Sequence, residues 1–75
     1  MKAILEFNLP EDHIEFTLCN NASKWYSLAW DLDQHLRAQT KYAPDNMPTE
    51  YYKALQDTRD KLYEILNDEG LSFDS

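Results

Sequence analysis

The chain has 75 residues and a formal net charge of −7 at pH 7, from fourteen acidic and seven basic side chains. That length makes one small domain, 1–75, which buries only about 60% of the surface its unfolded chain exposes. The charge argues against a binder of nucleic-acid phosphates or of anionic membranes, both of which need clustered Lys and Arg. Cys19 is the single cysteine, so no internal disulfide can form. With no recognisable signal peptide either, the expected setting is reducing and cytoplasmic. Nothing approaches the roughly 18 apolar residues of a membrane span. Self-association is the remaining common way to stabilise so small a core, and a homo-oligomer is expected.

Residues 2–9 alternate and predict an N-terminal β-strand. Ala3, Leu5, Phe7 and Leu9 point one way, and Lys2, Ile4, Glu6 and Asn8 the other. Its backbone groups need partners. The candidates are the tail 71–75, the segment 14–18, or the same strand of a second copy.

Residues 12–20 read two ways. Ile14, Phe16 and Leu18 alternate as in a strand, while Ile14 and Leu18 sit four apart as in a helix. The preceding Pro10, Glu11 and Asp12 suit a helix N-terminus and favour the short helix. Asn20 or Asn21 then caps a central helix over 22–40. On it, Trp25, Leu28, Ala29, Leu32 and Leu36 form one apolar stripe, expected to be core. Asp33 and Arg37 stand at i, i+4, a local ion pair. Pro44, Asp45, Asn46 and Pro48 break the chain into a loop over 42–49.

The last helix starts between 47 and 50, with Asn46 or Thr49 as cap. Tyr51, Leu55, Thr58, Leu62, Ile65 and Leu66 line one face, and Asp57 and Lys61 pair on the other. Gly70, the only glycine, stands where a left-handed residue ends a helix, with Leu66 and Leu71 placed for the accompanying apolar contact. The tail 71–75 alternates weakly and allows a very short strand. The expected fold is α+β and mainly helical: one N-terminal strand, a short helix, and two longer helices packed antiparallel.

Three stretches, KAILEFNLPED, LAWDLDQHLRAQTKYA and EYYKALQDTRDKLYEILNDEGL, span nearly the whole chain. As a set they resemble a group of small acidic proteins encoded by tailed bacteriophages. The resemblance supplies no catalytic or ligand motif. What it implies is a setting, a phage gene product in an infected bacterial cell, where small accessory proteins often bind a host or phage protein and include inhibitors of host defence.

No catalytic set emerges from the residues, and a non-enzyme is expected. His13 and His35 are far apart in sequence, and with Cys19 they lack paired zinc spacing, so no metal and no cofactor is expected. Asp31 and Asp33 point roughly 200° apart on a helix and do not converge. Cys19, beside Leu18, reads as a small buried apolar group.

The aromatics carry more. Two Trp, five Tyr and three Phe are many for so small a domain. Trp25 and Trp30 stand about 140° apart on their helix, so both cannot enter one narrow core. Trp30 and Tyr26 therefore form a second edge that needs cover, either from the N-terminal segment or from another chain. Tyr26, Trp30, Arg37, Tyr52, Arg59 and Tyr63 are the candidate partner-binding residues, since such side chains are favoured interface anchors. The function expected is non-enzymatic binding of a host or phage protein through an aromatic and acidic surface, modulating or inhibiting it. An acidic mimic of nucleic acid and a small homo-oligomeric assembly factor are the alternatives.

Overall fold

Helical periodicity accounts for all the regular structure in residues 1–74, which are the residues the computed structural model describes. Helix α1 is His13–Asn20, α2 is Ala22–Lys41 and α3 is Thr49–Asp68. Helices α2 and α3 have 20 residues each and are thus about 30 Å long. Residues 42–48 join them as a hairpin. Asp33 meets both Arg59 and Tyr63, while Trp30, nearer the start of α2, shares a hollow with Leu66 and Asn67, nearer the end of α3. Falling numbers on one helix against rising numbers on the other define the expected antiparallel packing.

The expected strand over 2–9 does not form, and no strand occurs among the described residues, so the fold is all-α rather than α+β. An extended segment is stable only beside another, and both partners within the chain are committed elsewhere. Segment 14–18 lies inside α1, and the tail turns back onto α2 through Phe73. Residues 71–74 likewise form no strand, and Ser75 lies outside the described residues. Phe7 instead packs edge-on against Phe16 of α1, with ring centroids 5.7 Å apart, while Ile4, Leu5 and Leu9 stay exposed. The entry to α1 is a turn closed by Asp12, whose carboxylate accepts the Asn8 N–H at 2.9 Å.

The helix ends obey local chemistry unevenly. Asn21 occupies the N-cap of α2, but its side chain makes no capping hydrogen bond. Pro48, not Asn46 or Thr49, precedes α3, again without a side-chain cap. The C-terminus of α3 matches its sequence signal closely. Gly70 has φ 69°, its N–H donates to the Asn67 carbonyl at 3.1 Å, and the Leu71 N–H reaches back to Leu66 at 2.8 Å. That is the Schellman pattern, and it turns the chain sharply after α3.

Packing is thin. Leu36, 5% exposed, is the only buried apolar residue among the described ones. The expected core stripe of α2 is largely bare: Trp25 and Leu28 are each 59% exposed and Leu32 is 43% exposed. Cys19 is exposed rather than buried, because α1 buries none of its residues. The molecule is long, 56 × 28 × 20 Å, with a radius of gyration of 17.6 Å. A compact chain of this length has about 11 Å.

Candidate functional site

The α2–α3 hairpin has two dissimilar faces. One is closed by a polar and aromatic network. Asp33 is 1% exposed, and its carboxylate accepts hydrogen bonds from Arg59 Nε at 2.8 Å, Tyr63 Oη at 3.1 Å and Gln34 Nε2 at 3.2 Å. Asp33 therefore pairs across the helices with Arg59 and not along its own helix with Arg37. Geometry decides this, since Asp33 follows Ala29 by four residues and precedes Leu36 by three, on the side of α2 that meets α3.

Burial alone pushes the Asp33 carboxyl up. The hydrogen bonds from Arg59, Tyr63 and Gln34, with the Arg59 charge, outweigh it and hold the group below the usual carboxylate value. The same bond to Asp33 raises Arg59 in return. A charge this deep is tolerable only because every hydrogen-bonding demand is met, and no buried side-chain polar atom among the described residues lacks a partner.

Phe73 extends this network. Its ring stands edge-on to Tyr26, Trp30 and Tyr63, with centroids 5.8, 5.3 and 6.0 Å away. The Tyr26 hydroxyl donates to the Phe73 carbonyl at 2.9 Å. Tyr63 is the hinge between the two parts: its hydroxyl binds Asp33, its ring meets Phe73, and the Arg59 guanidinium lies 5.5 Å from its centroid. The second aromatic edge of α2 is thus met by the C-terminal tail, and not by the N-terminal segment, although Tyr26 and Trp30 stay 45% and 41% exposed. The lone Phe73 was legible as an apolar residue just beyond a Gly turn, but nothing local said where the turn would aim it.

Of the six candidate partner-binding residues, the structure gathers Tyr26, Trp30, Arg59 and Tyr63 around Asp33 and Phe73. Arg37 and Tyr52 make none of these contacts; they are exposed, as Tyr26, Trp30 and Tyr63 also are. Among the described residues no group of three His, Cys, Asp or Glu stands close enough to hold a metal ion, and no helix is long and apolar enough to cross a membrane.

The other face has no such cover. A band begins at an apolar hollow of about 510 Å³, which Leu18, Trp25 and Leu71 share with Tyr26 and Phe73 of the aromatic cluster. It continues along α2 past Leu28 and ends in a shallow groove of about 420 Å³, where Leu32 faces Thr58, Leu62 and Ile65. Ile65 is 50% exposed. The rim is charged but balanced. Asp57 pairs with Lys53 at 3.4 Å and Lys61 with Glu64 at 3.2 Å, replacing the expected Asp57–Lys61 pair. All four of these side chains are well exposed, so water decides between rotamers of nearly equal energy.

No family model, no curated protein and no solved structure matches the chain.

Proposed function

We propose that the chain is a non-enzymatic binding protein that acts by burying the bare band of its helical hairpin against another protein. The observation that carries this is the mismatch between the two faces. A monomer seldom leaves a contiguous patch of Trp, Leu and Ile in water, and a large one with a polar rim marks an interaction surface. Trp25 is the natural anchor, and Leu28, Leu32 and Ile65 supply the apolar surround that excludes water from it. Arg37 and Tyr52, both exposed, are further contact candidates. The mechanism is steric occupation of the partner.

The resemblance to phage-encoded proteins sets the partner class: a host protein, including one of anti-phage defence, modulated or inhibited in the infected cytoplasm.

The test is affinity capture from infected and uninfected bacterial lysate with the wild-type chain and with Trp25→Ala and Leu28→Glu, both at open positions. The expected result is a protein held by wild type and lost by both variants while their far-UV dichroism is unchanged. Identical captures by all three would overturn the assignment of the band.

A further inference from the structure

Residues 2–7 lie outside every helix and turn, and none of them finds a main-chain hydrogen-bond partner among the described residues. Their alternation is that of a half-covered strand. One face already has a helix behind it, since Phe7 stands edge-on to Phe16 of α1, while Ile4 and Leu5 stay exposed. What the segment lacks is a second edge, because one strand cannot satisfy its own N–H and C=O groups. The side chains identify that edge. Residues 1–9 carry one Lys and one Glu, so this segment is neutral in a chain of net charge −7. Two copies can meet there without adding to the repulsion between acidic chains. Lys2 and Glu6 share a face and stand two residues to either side of Ile4.

We infer that this segment pairs with the same segment of a second copy, as an antiparallel ribbon whose two-fold axis passes through Ile4. That register sets Lys2 opposite the second copy's Glu6, Ile4 opposite Ile4, Ala3 opposite Leu5 and Met1 opposite Phe7. Charge meets opposite charge and apolar meets apolar at every position. Neighbouring registers lose this match. An axis at Leu5 sets Glu6 opposite Ile4, and an axis between Ile4 and Leu5 sets Lys2 opposite Phe7 and Glu6 opposite Ala3. Parallel pairing in register sets Lys2 beside Lys2 and Glu6 beside Glu6. A segment shaped for the edge of a foreign sheet has no need to complement itself. A two-stranded ribbon alone is marginal in water and needs a helix to pack on. Phe16 of α1 supplies that contact through Phe7 in each copy. The ribbon uses none of the residues of the α2–α3 band, so it goes beyond the binding surface proposed above and stands or falls without it.

Sedimentation equilibrium on the full chain, from about 1 to 500 µM, tests the inference. The expected mass rises from 8.9 kDa at the low end to twice that at the high end. Ile4→Pro removes a ladder N–H at an exposed position and is expected to leave a monomer throughout, with helical dichroism unchanged. Lys2→Glu and Glu6→Lys each set like charges opposite one another, and each is expected to weaken its own dimer roughly tenfold. Mixing the two variants is expected to restore wild-type affinity, because every facing pair is again opposite in sign. Disulfides report the register in a Cys19→Ser background. Ile4→Cys is expected to crosslink to itself under mild oxidation, whereas Ala3→Cys and Leu5→Cys crosslink only when mixed. A wild-type mass of 8.9 kDa throughout, or a dimer indifferent to Ile4→Pro, overturns the inference. A dimer that Leu32→Glu breaks and Ile4→Pro does not belongs to the band and overturns it as well. A strict monomer that captures a protein in lysate, and loses it on Ile4→Pro but not on Trp25→Ala, gives the edge to a foreign sheet and removes the second copy.

Discussion

The two faces of the α2–α3 hairpin are made of similar residues and end in opposite states. On one, Tyr26, Trp30 and Tyr63 close around Phe73, and the only buried charge of the described residues is fully paired. On the other, Trp25, Leu28, Leu32 and Ile65 keep 43–59% of their surface in water in the single chain and have no aromatic cap across them. The difference teaches that aromatic content does not locate an interface. What matters is whether the chain itself can supply a cover. Gly70 bends the tail toward one face, and a single phenylalanine then satisfies three aromatic neighbours. Among the described residues no other segment covers the second face: Phe7 of the N-terminal segment packs on Phe16 of α1 instead.

This contrast is most easily broken at the ion pair. Arg59→Met leaves the Asp33 carboxylate buried without its charge partner, and roughly 3–5 kcal/mol of stability is expected to be lost in urea denaturation. Adding Asp33→Leu is expected to restore most of it, since the uncompensated charge is then gone. Acid probes the same pair. Asp33 titrates below its ordinary value in the folded chain, so its contribution is complete above about pH 4, the unfolded value. That contribution is lost as pH falls through the folded pKa. Asp33→Asn is expected to flatten that acid limb of a stability-versus-pH curve and to cost stability at pH 7.

Phe73→Ala comes next. The ring is only half-buried, so a loss of about 2 kcal/mol is expected, below the full range for buried Phe. The near-ultraviolet dichroism of Tyr and Trp should collapse with it. Trp25→Ala, on the bare face, should leave the stability of the dissociated chain within about 0.5 kcal/mol. If Trp25→Ala costs the monomer as much as Phe73→Ala, the two faces are not distinct.

Gly70→Ala sharpens the cause. A Cβ there meets nothing within 4 Å, so the cost is purely that of the left-handed backbone, about 1 kcal/mol in thermal unfolding. It should also reduce the aromatic dichroism, because the bend aims Phe73. Smallest of all, Lys53→Ala and Lys61→Ala break exposed pairs and should change stability by no more than about 0.5 kcal/mol.

What the sequence by itself determined is local. Apolar spacing at 3.6 residues, a Pro-rich break and one glycine were enough to place α2, α3 and the end of α3, while α1 read both as strand and as helix and was favoured only by the Pro10, Glu11 and Asp12 before it. Alternation over 2–9 misled for the complementary reason: a strand is not a local object, and the segments that could have paired with it are committed elsewhere. The candidate site was half legible. Tyr26, Trp30, Arg59 and Tyr63 do come together, and their types announced interaction. Their destination was set by contacts that link distant positions, Asp33 with Arg59 26 residues on and Tyr26 with Phe73 47 residues on. Periodicity names a helix face but not what lies across from it. Only the tertiary structure decided which aromatic edge the tail would close, and so which face was left for a partner.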